Sequence, residues 1–293
     1  FTHLIAEYYL SALIRNRSMA KHNTEHEMSF LEHLEELRWH ILRALGGTFV
    51  IAVILLFSKK FVFDTLIFGP ANKDFITYKL LCKIKICLSP PTPHIYQRLM
   101  GEEFVTHLKV SFLLGLIVAF PYVFWEIWQF IKPGLYPKEQ KAARGIVAIC
   151  SMLFLLGVFF GYFIIAPFAI TFLLNYSISN LVAGTDVTLG SWINYMVMFT
   201  LPTGLVFELP IIMYFLSKAG LVYPDSLRKF RKHAVVAILI VAAIVTPPDV
   251  MTQILISIPL YALYEVSIII SARVDKNRKK EELEAEAESA VSK

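Results

Sequence analysis

Three acidic residues stand where a carboxylate could do chemistry. Glu36 lies in SFLEHLEELRWHILR, residues 29–43. There Phe30, Leu31, Leu34, Leu37 and Ile41 recur at three- and four-residue spacing and share one helix face. Glu32, Glu35, Glu36 and Arg38 take the other face. Glu139 lies in FIKPGLYPKEQ. Two carboxylates at one surface could each accept a planar guanidinium in a bidentate, charge-assisted pair. The third acid, Glu208, sits inside an apolar run in VFELPII. A carboxylate at that depth is costly and is expected to be buried in protein, paired or protonated. The alternative is a snorkelling or structural acid. Pro202 and Pro210 flank it and predict a kinked helix with freed backbone carbonyls. Glu126, in FWEIWQF, is nearer the end of its run and is expected to reach the headgroups.

Other chemistries find no support. The chain has no GxxxxGK[ST] loop for nucleotide phosphates. His33 and His40 are seven apart and His233 is isolated, so no metal-ligand spacing arises. No Ser/His/Asp set can be assembled. The expectation is a protein that is not an enzyme and binds no cofactor. Cys82 and Cys87 fall in a hydrophilic loop. They could pair if that loop is extracytoplasmic, or stay as two free thiols. Cys150 lies in an apolar run and reads as packing.

The elements that position these residues are membrane spans. Of 293 residues, 56% are hydrophobic and 17% charged, against about 25% charged in a soluble domain, and the apolar residues form long runs. The fold class expected is an all-α polytopic membrane protein with six transmembrane helices. They are placed at 39–57, 108–131, 145–166, 191–216, 234–246 and 253–271, the last two short and separated only by the TPPDVM turn. Basic residues crowd loops 132–144 and 217–233 and the start of the tail, whereas loop 167–190 and turn 247–252 contain no Lys or Arg. Loop 58–107 is basic but long, and long loops count for little, so both termini are placed in the cytoplasm. Residues 1–27 read as a non-native or disordered leader, with Met19 or Met28 as the start; 28–275 as the membrane domain; and 276–293 as a charged cytoplasmic tail whose Leu283–Ser292 end is poorly ordered. A net charge of +5 on such a chain is no sign of nucleic-acid binding.

At HLEELR (residues 33–38), WQFIKPGLYPKEQ (128–140), FELP (207–210) and TPPDVMTQ (246–253), the chain resembles the TatC family, the multispan subunit of the twin-arginine protein translocase. The match covers roughly residues 28–275 in the same order. The resemblance implies a receptor for twin-arginine signal peptides. Such a subunit moves folded cargo across the membrane, driven by the proton motive force, in an oligomeric complex with TatA-type and TatB-type single-span partners. It implies the inner membrane of a bacterium, or an organellar membrane with the same machinery. It places the signal-peptide site on Glu36 and Glu139, with Arg38 and Phe130 in the same region. It also matches the family's intramembrane acid to Glu208 and its partner-contacting polar positions to Thr246, Asp249 and Gln253. The rival expectation is a secondary transporter or ion channel that uses Glu208 as a proton or cation site.

Overall fold

The computed structural model describes residues 30–85, 87–88, 90–134, 145–177, 179, 186–245 and 250–291. The chain divides into two compact units, Phe1–Arg43 and Ala44–Lys293. In the first, the described residues belong to the start of helix α1 (Phe30–Phe57), which runs through the boundary without interruption.

Among the described residues, five helical stretches are long and apolar enough to cross a bilayer: Leu34–Phe57, Glu102–Ile131, Ile146–Asn175, Leu189–Lys218 and Thr252–Lys280. Their outward faces carry large apolar side chains, among them Phe49, Phe57, Met152, Leu156, Ile258 and Ile269. A band of that extent facing water would be an aggregation hazard; facing lipid it is at no disadvantage. The chain is a multi-pass membrane protein.

The five spans are built from α1, α3 (Glu102–Ile131), α4 (Ile146–Phe160) continuing through a π-helical turn at Gly161–Ile165 into α5 (Ala166–Asn175), α6 (Leu189–Val206) with α7 (Leu209–Lys218), and α10 (Val250–Val291), with the shorter apolar helix α9 (Arg231–Val245) before α10. Short helices α2 (Ile76–Lys83) and α8 (Pro224–Lys229) lie in the connections. At 15 residues, α9 is about 22 Å long, against a hydrocarbon core of about 30 Å.

The last helix is longer than its apolar stretch suggested. It has 42 residues and continues through the tail expected to be poorly ordered. The physical reason is composition: Ala, Leu and Glu are strong helix formers, and a helix already nucleated extends readily. Lys280 and Glu284 add a pair one turn apart at 3.5 Å.

At one end of the bundle the connections are stitched together. Cys82, in the last turn of α2, is disulfide-bonded to Cys87, across a turn in which Lys85 takes a positive φ of 65°. Strands β1 (His94–Tyr96) and β2 (Asp186–Thr188) pair in parallel, Ile95 opposite Val187. This two-stranded sheet is an addition to the expected all-helical plan. A π-helical turn at Phe61–Ile67 would leave carbonyls unpaired at its end. The Tyr162 hydroxyl donates to Leu66 O at 2.7 Å and the Trp192 indole N–H to Ile67 O at 3.0 Å. In the same region the buried Tyr78 hydroxyl donates to Pro70 O at 2.9 Å, and burial pushes its phenol up to about 12.

Glu102 ties this end to the spans. Its Oε2 accepts the Arg98 and Leu99 amides at 2.6 and 3.3 Å, and its Oε1 accepts the Gly190 amide at 2.9 Å. One carboxylate, itself in the first turn of α3, thus serves the turn that leads into α3 and the N-terminal turn of α6, where the helix dipole favours negative charge. A Cβ on Gly190 would lie 2.7 Å from Oε1, which is why glycine suits that position. Glu102→Ala is expected to lower the thermal midpoint of the detergent-solubilised protein by a few degrees and to speed protease cleavage within 84–101. Glu102→Gln, which keeps one acceptor, should fall in between.

Candidate functional site

The helical path of the fourth span breaks where the sequence places Glu208. Pro202 lies inside α6, which ends at Val206, and Pro210 lies in the first turn of α7, so Phe207 and Glu208 form a turn between the two helices. Proline at 210 cannot donate to a carbonyl one turn back, and the ladder lapses there. Glu208 is 9% exposed. Its Oε1 is buried without a hydrogen-bond partner among the described residues, while the Cys150 thiol and the backbone of Phe154 lie beside the carboxylate. The expectation of a protein-buried acid is met, and Cys150, fully buried, is part of its wall.

Glycines bring that wall close. A Cβ at Gly157 would sit 2.8 Å from Gly204 Cα and 2.8 Å from the Phe207 ring, and one at Gly204 would meet Val158 and Phe154 at 2.8 and 2.9 Å. A Cβ at Gly161 would overlap the Phe199 carbonyl oxygen. Gly157 and Gly161 are four apart on one face, the small-residue spacing that lets helix backbones approach in lipid, where apolar burial supplies no drive for association. This contact fixes Glu208 against the third span.

Glu126 corrects the sequence reading. Expected at the headgroups, it is 2% exposed, and the Tyr122 hydroxyl donates to its Oε1 at 2.9 Å. Tyr122, Glu126 and Phe130 follow at four-residue intervals and form one stripe of α3. Distance along a helix says how deep a residue lies but not which way it faces, and Glu126 faces inward. The signal that could have found it was Tyr122, a donor one turn away. The Tyr122 ring also lies over α1, where a Cβ at Gly47 would meet it at 2.5 Å.

The remaining candidates are placed unevenly. Glu36 is half-buried on α1, with its Oε2 shielded from solvent and without a hydrogen-bond partner among the described residues; Arg38 is exposed. Phe130 is half-buried near the end of α3. Glu139, Thr246 and Asp249 lie outside the described residues. Gln253 donates through Nε2 to Leu239 O at 3.0 Å, so its amide joins α10 to α9. That pair is held further by an Arg231–Glu265 ion pair at 2.8 Å. Ser217 donates to Ser271 at 2.7 Å and joins α7 to α10. Between α9 and α10 runs an apolar groove of about 330 Å3, lined by Val235, Leu239, Ile258 and Tyr261. Among the described residues, no group of three or more His, Cys, Asp or Glu could hold a metal ion.

Comparison with known proteins accounts for this arrangement. Residues 32–259 match the sequence profile of the family described as Sec-independent protein translocase protein (TatC). The chain is 38% identical over 265 residues to the TatC of Blattabacterium sp. subsp. Periplaneta americana (strain BPLAN), covering 87% of this chain and 99% of that one. It is 33% identical to the TatC of Aquifex aeolicus (strain VF5), over 86% of this chain and 98% of that one. A crystal structure titled as the twin-arginine translocase receptor TatC superposes with a TM-score of 0.66 at 32% identity, covering 83% of this chain and all of that one. These full-length likenesses are to translocase proteins and do not favour the solute-transporter reading of Glu208. They also identify a component of protein transport rather than an enzyme. The protein belongs to the TatC family of Sec-independent protein translocases.

Proposed function

We propose that this chain is the signal-peptide receptor of a twin-arginine translocase and that Glu36 and Glu139 take the arginine pair. The observation carrying the proposal is the state of Glu36. Its Oε2 is withdrawn from water yet has no hydrogen-bond partner among the described residues, and a shielded, unmatched carboxylate oxygen favours an incoming donor. Guanidinium is the apt donor because its fork matches a carboxylate, which lysine cannot do. A partly exposed pair contributes only about 0.2–1 kcal/mol and a well-desolvated charged hydrogen bond about 1.5–3 kcal/mol. Two such pairs require help from the apolar part of the signal, which would follow the span surfaces.

Six spans with both termini cytoplasmic fit the same reading. A disulfide at Cys82–Cys87 suits an oxidising compartment, and the lysine- and arginine-rich connections then lie in the cytoplasm. The short α9 is accommodated by local thinning of the bilayer. The groove between α9 and α10 suits a single-span TatA-type or TatB-type helix, with Thr246, Asp249 and Gln253 near one end of that hairpin and Glu208 receiving a polar group during assembly.

Photocrosslinkers at 36 and 139, in membranes, test the receptor site. Adducts are expected with an Arg-Arg signal peptide and should fade with Lys-Lys. Equal labelling by both peptides, or labelling by neither, would remove the acidic pair from the mechanism.

A further inference from the structure

We infer a phospholipid-binding site between the second, third and fourth spans, with the lipid phosphate on Lys109 and one acyl chain in the cavity below it. The cavity measures about 280 Å3 and is walled by Leu113 and Ile117 of α3, Val197 and Leu201 of α6, and Phe159 and Tyr162 of the third span. Its polar lining atoms are already engaged. The Tyr162 hydroxyl donates to Leu66 O and the Thr200 hydroxyl to Met196 O at 2.8 Å. Nothing in the wall is left to hold water, so the site suits a hydrocarbon guest. It opens to the lipid-facing surface at Val118 and Phe159, which line it and are 56% and 54% exposed.

The mouth supplies the anchor. Lys109 lies one turn before Leu113, and Asn194 one turn before Val197. The Lys109 ammonium donates to the Asn194 amide oxygen and so bridges α3 and α6 directly above the cavity walls. Lys109 forms no ion pair among the described residues. A neutral amide uses one of its three donors and leaves two for an anion.

Length decides the occupant. From Lys109 to Val118 is nine helical steps, about 14 Å, close to half of a hydrocarbon core of about 30 Å. A cation at the mouth and an apolar slot one leaflet deep match a single acyl chain hung from a phosphate. A single-span helix brings no phosphate to the two free donors of Lys109, whereas a phospholipid does.

The test uses the full chain in nanodiscs with two photoreactive lipids bearing the same diazirine acyl chain, phosphatidylglycerol and diacylglycerol. Phosphatidylglycerol is expected to label peptides containing 113–118 or 197–201. Lys109→Gln should reduce that labelling about tenfold, and Val197→Trp, which fills the slot, should abolish it. Diacylglycerol should label both wild type and Lys109→Gln as weakly as phosphatidylglycerol labels the variant. Equal labelling by the two lipids, or no loss in Lys109→Gln, would reject the phosphate anchor. Adducts spread over other span surfaces would reject the site, and adducts at 113–118 displaced by an added single-span helix would reject the occupant. Lys109 is exposed and its replacement leaves the core intact, so the test stands even where the tryptophan variant does not fold.

Discussion

With lysine in place of Glu36, membranes carrying this protein should bind an arginine-pair peptide at least ten- to a hundredfold more weakly. Losing one charged hydrogen bond removes about 1.5–3 kcal/mol, which is roughly a 10- to 150-fold change in Kd, and the new cation repels the ligand. Glu36→Gln keeps an acceptor without the charge and should lie between. Glu35→Lys is the control, because Glu35 is exposed on the same turn and changes the surface potential by the same amount. A site effect separates the two lysine variants at 0.15 M salt, where surface charges are screened beyond about 8 Å. Equal losses would mean a diffuse electrostatic attraction instead of a seat for guanidinium. Peptide titration by fluorescence anisotropy in nanodiscs reads both.

The second large effect is structural. Gly161→Leu should strip the protein of its cooperative thermal transition in detergent, or lower it severely, because the added carbon falls on the Phe199 carbonyl oxygen. Backbone cannot rotate aside as a side chain can. Overpacking of a tight contact costs about 1–3 kcal/mol, and here the third and fourth spans must also separate, which exposes Glu208 to lipid. Even Gly161→Ala should be destabilising. Gly46→Ala is the counterpart: a Cβ there meets nothing within 4 Å, so the change should be neutral or stabilise the helix by about 0.5–1 kcal/mol. A Gly161→Ala protein as stable as wild type would mean that these spans do not meet as described.

Much of the architecture could be read from the chain because lipid makes sequence legible. Apolar runs marked the spans, and an isolated acid between two prolines marked the break at Glu208. What could not be read depends on facing and on distant partners. Glu126 is expected at the headgroups yet faces the protein interior, since one helical run gives no azimuth. The Gly157–Gly161 pair carries a recognisable spacing, but its counterpart Gly204 lies on another span. Strands of three residues, His94–Tyr96 and Asp186–Thr188, are too short for an alternating pattern to register. The disulfide needed the turn at Lys85 to bring its thiols together, and spacing alone left the pairing open. The acidic, alanine-rich tail reads as a poorly ordered end, whereas alanine, leucine and glutamate also favour extending a helix already formed, and the helix continues to Val291.

The Glu102–Gly190 contact also sets a schedule for biogenesis. Its two ends are 88 residues apart, and at roughly 5–20 residues per second the ribosome takes about 4–18 s to make the stretch between them. Throughout that delay, the second span must reside in the bilayer without its final lock. The Trp192 donor to Ile67 arrives later still, 125 residues after its acceptor. Until Gly190 has been made, the Glu102 carboxylate lacks one of its three backbone donors, and a translational pause before residue 190 would lengthen that interval.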